Sequence, residues 1–552
     1  HKDWRVELIP LREIHLTPQK SYEKETKGSR TAVYILSVMA VALLLIGWVN
    51  ALNLMVARFL ERGKEFGVRK AFGASRKQML FQGLLEAGIV NSLAALIALG
   101  WLEVLLPVVN SLATYDFGEN ALLQPEFWVT VSGIIVLGTL FTGLYPSYLL
   151  TRIRPSDIMR GKLLHSRKGN RMRKALIVVQ FVASFILITG TFVVISQVRY
   201  MQNETASAAM RQIVVLKYPS FTDELSAKME SFKKHLKQKT YIRQVTVSGA
   251  VPGVEVANYF TNRPYGSDQS EVKLIQMFAV DYDYLSTYSP DMVCGRGFSE
   301  EYGDELNKVV LNEEAVRLLG FPSNEAALGR QLTMEVVEEP LQVIGVARNY
   351  HQQSPAVPYK PIIFFIKERV PFIGTPYISI RMDGTADAAR LAEIEQAYRD
   401  FFPTSLFSYF YLDDFNRNQY QEDRNFGWMF AGSALLAVFV ACLGLWTVTL
   451  FSTLSRVKEI GVRKVLGAGR VNLFVVLTRE LLLLTVVASV IGIPASAFLM
   501  NNWLEGYAFH IVLPWWSYAV AFVLLMCIAF GTVARQVWRI IRLKPMYILR
   551  SE

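Results

Sequence analysis

The sequence predicts an α-helical membrane protein with an α+β extracytoplasmic domain, flanked by two pseudo-repeated transmembrane units. Three observations predict this class. The 552-residue chain is 52% hydrophobic and has a positive mean hydropathy, which is high for a water-soluble protein. Seven apolar runs are long enough to cross a bilayer as helices, which takes ~20 residues. A short basic sequence occurs twice, as KEFGVRKAFGA at 64–74 and KEIGVRKVLGA at 458–468.

The seven apolar runs are named spans A to G. They cover residues 31–57 (A), 83–109 (B), 127–150 (C), 175–198 (D), 427–451 (E), 481–500 (F) and 515–534 (G). One buried helix of a soluble protein can resemble such a run, but seven runs with almost no internal charge cannot all be core. We therefore expect seven membrane spans.

Basic residues predict the orientation of these spans, because Lys and Arg are retained on the cytoplasmic side. The segments expected to be cytoplasmic hold 27 basic and four acidic residues and are 58–77, 152–174, 456–479 and 535–550. The loops B–C and F–G contain no Lys or Arg and should lie outside, together with residues 199–426. The rest of the chain is net negative, so the overall charge of +11 reflects topology and does not indicate nucleic-acid binding.

The hydrophilic start of the chain, HKDWRVELIPLREIHL, should also lie outside, yet no signal sequence or earlier span is present to carry it there. We therefore expect an eighth span upstream of this sequence. Residues 1–30 would then be the end of a truncated first extracytoplasmic domain or its stalk.

The repeated basic sequence belongs to a larger repeat. The first basic segment (Lys64–Arg76) and the second (Lys458–Arg470) agree at nine of thirteen positions and directly follow spans A and E. Glu86 and Glu480 correspond at the same offset of 394 residues. After spans C and G, RIRPSDIMR and RLKPMYILR align Pro155 with Pro545. Spans A–C and E–G are therefore two copies of one three-span unit.

Contact with anionic lipid headgroups would explain the charge of the basic segments. It would not explain why Glu65 and Glu459, or the glycines that bracket each basic turn, recur at fixed spacing. A protein-docking surface explains both features, and two such surfaces in pseudo-symmetric copies suit a dimeric cytoplasmic motor.

These motifs carry a family resemblance. The two basic segments, each behind a long span and in a unit ending with RxxPxxIxR, resemble the permease subunits of FtsX/MacB-like ABC transporters, the type VII or mechanotransmission family. The layout is similar to the large duplicated permeases of Bacteroidetes, and the resemblance covers nearly the whole chain. In that family, the segment after the first span of each unit is a coupling helix that seats on the ATPase.

The resemblance implies that a cytoplasmic ABC ATPase dimer binds coupling segments 61–78 and 456–472. Because one chain carries two such segments, we expect one permease chain per two ATPases. The residues expected to make the contact are Lys64, Glu65, Gly67, Arg69, Lys70, Gly73, Lys458, Glu459, Gly461, Arg463, Lys464 and Gly467. The repeat-matched helix-end residues are Glu86, Glu480, Pro155 and Pro545. The chain has no GxxxxGK[ST] phosphate loop, so we expect no enzyme activity and no cofactor here, with ATP and Mg²⁺ in the partner.

Residues 199–426, called the outside domain, are predicted to be α+β. The strand IVVL (213–216), an amphipathic helix and the strand QVTVS (244–248) are followed near the end by YISIRM (377–382), a second helix and LFSYFYL (406–412). This double strand–helix–strand pattern is compatible with ferredoxin-like packing, and the block between should form a second lobe. GRGFS, VVLNE and IGVARNYHQ are similar to the periplasmic core domain of the family.

Candidate catalytic or metal-binding residues are few. His351 is the one histidine of the outside domain in a motif-like context, and a lone loop histidine is more often structural. The acidic run that begins at Asp413 and Asp414 most simply solvates a stalk before span E. HExxH, CxxC and GxSxG are absent, and three cysteines, two of them within spans, predict no disulfide framework.

The predicted organisation follows from these assignments. It consists of a stalk remnant (1–30), a first FtsX-type unit (31–160), a basic linker (161–174), span D (175–198), the outside domain (199–426) and a second FtsX-type unit (427–552).

The predicted function is a bacterial inner-membrane permease subunit that exports or extracts a lipoprotein, lipid, peptide or antibiotic, driven by a separate ATPase. The alternative is an FtsX-like regulator that transmits ATPase motion to a periplasmic hydrolase or sensor. An ion-coupled carrier is disfavoured because ionisable residues are lacking near mid-bilayer. Expected partners besides the ATPase are membrane lipid and a periplasmic or outer-membrane protein, but not nucleic acid.

Overall fold

The structure is a computed structural model. It describes residues 30–62, 65, 68–69, 72–112, 122–152, 167–205, 212–219, 225–254, 256, 258–288, 291–371, 373–384, 387–455, 463, 466 and 469–541. These residues fall into two compact units. The first unit contains Gln197–Gln421 and Leu504–Ile511, and the second contains the long helices before and after the outside domain.

The elements are as follows in chain order. Four long helices come first, α1 (Arg30–Glu61), α2 (Arg76–Leu112), α3 (Pro125–Arg152) and α4 (Arg167–Thr205). The outside domain contains β1 (Ile213–Lys217), α5 (Leu225–Lys237), β2 (Ile242–Ser248), β3 (Tyr259–Pro264), β4 (Lys273–Val280), α6 (Tyr284–Tyr288), β5 (Met292–Gly295), β6 (Lys308–Asn312), α7 (Glu313–Leu318), α8 (Asn324–Ala327), β7 (Gln331–Met334), β8 (Val337–Ala347), β9 (Ile362–Ile366), β10 (Tyr377–Met382), α9 (Ala388–Phe401), β11 (Tyr409–Tyr411) and α10 (Leu412–Gln419). Three long helices follow, α11 (Gln421–Ser455), α12 (Arg470–Leu504) and α13 (Trp515–Ile541).

Seven helices of the described chain are long and apolar enough to cross a membrane, and they correspond to spans A to G. A helix suits this environment because it satisfies its own backbone hydrogen bonds. Helices α2 and α12 begin at Arg76 and Arg470, earlier than the predicted starts at 83 and 481. Charged side chains had ended the apolar runs, but a helix can continue past them where the charges reach water. Glu86 and Glu480 therefore lie about three turns into their helices.

The two three-span units meet at equivalent positions of α1 and α11. Asn50 and Gly444 are 394 residues apart, so they occupy the same place in the repeat. The Asn50 amide donates a hydrogen bond to the Val440 carbonyl, and a Cβ built on Gly444 would overlap Asn50 Oδ1. Small residues allow such close approach of membrane helices. Contact between equivalent positions marks the pseudo-two-fold axis that relates the copies.

Helix α4 packs against the second three-span unit through glycines that face large rings. Gly492 of α12 lies against the Phe185 ring, and Gly190 of α4 lies against Phe430 of α11. Phe192 and Trp516 make an edge contact with ring centroids 5.7 Å apart. Span D is therefore held mainly by shape complementarity, as is usual for helices in lipid.

The first lobe of the outside domain is an antiparallel sheet in the order β11-β1-β10-β2, with α5 and α9 packed on it. Counted within the lobe, this order is 4-1-3-2, which confirms the expected ferredoxin-like arrangement. The predicted helix faces are confirmed too, since Met229 and Phe232 of α5 and Ile394 and Tyr398 of α9 are buried together. The last strand is shorter than predicted, because only Tyr409–Tyr411 pairs with β1.

The second lobe is a closed six-stranded barrel formed by the block between β2 and β10. Its strands follow the order β4-β3-β7-β8-β6-β9, and a parallel β9–β4 pairing closes the circle. Met277, Leu311 and Phe365 are fully buried in its core. Closure of the barrel removes exposed strand edges. In the chain, this second lobe is inserted into the first lobe between β2 and β10.

The contact at the pseudo-two-fold axis predicts the effect of a minimal substitution. Gly444→Ala should destabilise the protein by about 1–3 kcal/mol, because the added methyl group collides with Asn50. Asn50→Ala should relieve the collision, so the double variant should be more stable than the sum of the single effects. The measurement is reversible unfolding of the purified protein in mixed micelles. Gly432→Ala on the same helix is the control, because a Cβ there meets no atom within 4 Å. Additive effects would contradict the assigned contact.

His351 predicts a pH dependence of stability. It is half-buried beside the rings of Tyr359 and Phe509, and burial lowers its pKa to about 4 from an ordinary value of ~6.5. The unfolded chain therefore binds this proton more readily, so the stabilisation is complete above pH ~6.5 and is lost as the pH falls toward 4. The difference in unfolding midpoint between the native protein and His351→Gln should shrink over that range. A difference in unfolding midpoint that stays constant over this pH range would contradict the predicted pH dependence.

Candidate functional site

The first basic segment forms a short helical turn between α1 and α2. Residues 65, 68 and 69 are helical, and the Phe72 amide donates to the Val68 carbonyl over 3.0 Å. Gly73 then adopts φ +93°, and the Ala74 amide donates back to the Arg69 carbonyl over 3.0 Å. This is a Schellman-type helix end, for which glycine is the preferred residue. Gly73 therefore ends the short helix and turns the chain toward α2.

A capping box begins α2 immediately after this turn. The Gln78 amide donates to Ser75 Oγ over 3.3 Å, and the Ser75 amide donates to Gln78 Oε1 over 2.9 Å. These bonds satisfy amides that have no partner within the helix. The turn and the start of α2 are thus both fixed by local hydrogen bonds.

A closed ring of polar contacts ties the first basic segment to the side of α2. Glu65 accepts from Arg62 at 2.9 Å and from Arg69 at 2.7 Å. Arg69 also donates to Gln82 at 2.9 Å, and Gln82 donates to Glu86 at 3.2 Å. Arg62 closes the ring by donating to Glu86 at 3.2 Å.

The ring orients the segment more than it stabilises the protein. Its side chains are exposed to solvent, where an ion pair contributes ~0–1 kcal/mol. The hydrogen bond from Arg62, with the charges of Arg62 and Arg69, lowers the pKa of Glu65. Glu65 and Arg69 were among the predicted contact residues, whereas Arg62 and Gln82 were not. The helical spacing of Arg62, Glu65 and Arg69 is the sequence signal that could have indicated the ring.

Each basic segment presents a large apolar side chain to solvent at the same repeat position. Phe72 is 88% exposed and Leu466, 394 residues later, is 80% exposed. Val68 is also exposed. The charge pattern of the sequence did not indicate these positions. An apolar residue precedes the second glycine in both copies, and this is the sequence signal for them. Exposed apolar side chains among basic residues are typical of a surface that another protein covers.

Only part of the second basic segment lies within the described residues. Arg463 lies at an exposed helical position. Glu480, the counterpart of Glu86, forms an ion pair with Lys174 of α4. The matched glutamates thus both pair with a cation, but the cation comes from the α1–α2 turn in one copy and from span D in the other.

Several predicted site residues lie outside the residues that the structure describes. They are Lys64, Gly67, Lys70, Pro155, Lys458, Glu459, Gly461, Lys464, Gly467 and Pro545.

Within the described ranges, no three His, Cys, Asp or Glu side chains lie close enough together to hold a metal ion. Asp413 of the acidic run forms a 2.9 Å ion pair with Arg417 within α10. Cys294, Cys442 and Cys527 are free thiols.

Comparison with known families agrees with this architecture. The FtsX-like permease C-terminal family matches residues 37–155 and again 431–545, and the MacB-like periplasmic core domain family matches residues 178–397. The chain belongs to the FtsX/MacB-like ABC transporter permeases. It is a multi-pass inner-membrane protein, and its outside domain is the large periplasmic domain.

Individual relatives are distant. An uncharacterized ABC transporter permease, YvrN of Bacillus subtilis (strain 168), is 27% identical over 41% of this chain and 58% of its own length. The macrolide export ATP-binding/permease protein MacB of Aggregatibacter actinomycetemcomitans is 24% identical over 50% of this chain and 42% of its own length. The matches thus span less than two thirds of either relative. The crystal structure of the MacB periplasmic region from Actinobacillus actinomycetemcomitans aligns with a TM-score of 0.27 and 14% identity, covering 37% of this chain and 90% of that one.

The positive φ of Gly73 predicts how the first basic segment responds to substitution. Gly73→Ala should destabilise the helix end by about 1–2 kcal/mol, because a Cβ is disfavoured in the left-handed region even though no atom lies within 4 Å of it. Amide hydrogen exchange at Phe72 and Ala74 should then accelerate about tenfold. Gly73→Asn should have a smaller effect, since Asn tolerates this conformation. Equal rates in both variants would contradict the assigned turn.

Proposed function

We propose that this permease receives movement from a separate cytoplasmic ATPase dimer at its two basic segments and passes it to the outside domain. The work would be export or extraction of a lipoprotein, lipid, peptide or antibiotic. The observation that carries the proposal is the matched pair of cytoplasmic turns, each presenting an exposed apolar residue, Phe72 or Leu466, among basic side chains.

The support beneath the first turn suits the transmission of force. In the first copy, the polar ring joins the segment to α2 through Gln82 and Glu86, so a displacement of the segment would carry α2 with it. Packed helices move as rigid bodies, because their cores do not deform continuously. Helices α4 and α11 continue into the unit that contains the outside domain, which gives such a movement two covalent routes.

Nucleotide binding is assigned to the partner ATPase and not to this chain. The chain has no GxxxxGK[ST] loop, so ATP and Mg²⁺ are assigned to the partner. Arg69 and Arg463 occupy the same repeat position and would contact acidic groups of the two ATPase subunits. Basic residues that the ATPase does not cover would contact anionic lipid headgroups.

Charge reversal tests the docking surface. The double variant Arg69→Glu, Arg463→Glu should weaken ATPase binding at least about hundredfold, because like charges facing each other across an interface cost several kcal/mol. The measurement is co-purification of the ATPase from native membranes, followed by titration and the mass of the complex. One permease chain per two ATPase subunits is expected.

Two control variants separate docking from internal effects. Gln82→Ala opens the polar ring without changing charge and should leave binding within severalfold of the native value. Arg348→Glu reverses a charge on the outside domain and should have no effect. Native affinity in the double reversal variant would overturn the proposal.

A further inference from the structure

The loop between α12 and α13 belongs to the same compact unit as the outside domain. Residues Leu504–Ile511, called the F–G loop, group with Gln197–Gln421 and not with the two helices that carry them. Hydrogen bonds and aromatic ring contacts join the F–G loop to the outside domain. A short connection between two membrane helices would not need such contacts to remain folded.

Backbone hydrogen bonds attach the F–G loop to a segment of the outside domain. The Ala508 amide donates to the Ala356 carbonyl over 3.1 Å, and the Phe509 amide donates to the Pro355 carbonyl over 3.2 Å. Both acceptors belong to residues 350–359, called the docking segment, which lie between β8 and β9. The loop therefore lies alongside the docking segment.

Gln197 of α4 binds the F–G loop from a second direction. Its amide nitrogen donates to the Phe509 carbonyl over 3.0 Å, and its amide oxygen accepts from the Ile511 amide over 2.9 Å. The Gln197 side chain is fully buried. Breaking this pair of bonds would leave buried polar groups unsatisfied, which costs more than the bonds themselves contribute.

Phe509 fills an aromatic site on the docking segment. Its ring centroid lies 4.8 Å from that of His351, in an edge contact, and 4.7 Å from that of Tyr359. Aromatic pairs at these distances stabilise a contact beyond the effect of their buried area. His351 thus has a structural role, as the sequence suggested, but as part of a packed ring cluster.

The docking segment also connects to α10, which leads into span E. Gln352 is buried and donates to the carbonyls of Val251 and Val254 over 2.8 and 2.7 Å. The Gly253 amide donates to the Gln352 carbonyl over 2.8 Å, and the Gly253 carbonyl accepts from Gln419 of α10. One short segment therefore contacts the F–G loop directly and reaches α10 through a single turn.

We propose that the F–G loop is a mechanical tie that couples the outer ends of spans F and G to the outside domain through the docking segment. The inference rests on the proposed function and extends it. Span D enters the domain as a continuous helix, and span E follows α10 after a break at Tyr420, whereas spans F and G are joined to each other by this loop. A shift of α12 and α13 against α4 and α11 would pull on Phe509 and Gln197, which act as positioning residues.

The test follows amide hydrogen exchange in the docking segment of the intact permease with its co-purified ATPase. Exchange is compared without nucleotide and after trapping with ATP and vanadate. In the native protein, trapping should change exchange across residues 350–359. Phe509→Ala, and independently Gln197→Ala, should reduce that change about fivefold or more, which is the lower range of typical coupling between distant sites. ATPase binding should remain intact in both variants.

Two controls separate coupling from folding. Phe498→Ala removes an exposed ring of α12 and should leave the nucleotide response unchanged. A short thiol cross-link between Ala356→Cys and Ala508→Cys, in a Phe509→Ala background with Cys294, Cys442 and Cys527 replaced, should restore the response. If Phe509 had only a structural role, this cross-link would not restore the nucleotide response of the Phe509→Ala variant.

The outcomes are distinct. A native-sized response in both Phe509→Ala and Gln197→Ala would overturn the mechanical tie but leave the proposed function intact, as would failure of the tether to restore the response. If trapping of the native complex changes no exchange in the outside domain, both proposals are overturned.

Discussion

The contact between Asn50 of α1 and Gly444 of α11 is the interaction on which the helical frame depends. Polar side chains in lipid have few partners, so the bond from Asn50 to the Val440 carbonyl favours one close pairing of these two helices. Each helix leads directly into one basic segment. A contact at the pseudo-two-fold axis therefore joins the two helices that lead into the cytoplasmic surfaces, and such a pairing would suit a two-fold symmetric partner.

The two copies keep the same exposed face but support it differently. In the first copy, Ser75 and Gln78 form a capping box, whereas Gly469 and Asn472 occupy those positions in the second. Glu86 pairs with Arg62 from the adjoining turn, but its counterpart Glu480 pairs with Lys174 of α4. The exposed positions therefore recur in register, while the residues of the capping box at the start of the next helix do not. The support of the second copy includes span D, the helix that continues into the outside domain.

The outside domain is packed as a single body. Its barrel is closed and inserted between β2 and β10, and the two lobes share a core that includes the rings of Phe278, Tyr284 and Phe364. Buried Lys233 forms an ion pair with Asp281 at 2.7 Å, and Thr246 also donates to Asp281, so even the buried charge is satisfied. A close-packed core transmits displacement, because its contacts do not stretch gradually. Gln197 and Gln419 make hydrogen bonds at the points where the chain enters and leaves the domain, so a movement of the adjoining helices would reach the domain there.

The sequence alone determined the features that depend on local composition. Apolar length fixed the seven spans, the distribution of Lys and Arg predicted their orientation, and the 394-residue repeat predicted two matched cytoplasmic surfaces. The strand–helix–strand halves of the first lobe followed from periodicity, because each buries one face. Tertiary structure decided what depends on partners distant in sequence: the parallel β4–β9 pairing that closes the barrel, the Asn50–Gly444 contact, and the bond from Gln197 to Phe509 across 312 residues. No local pattern encodes these contacts, because each arises only when separate elements are packed in one register.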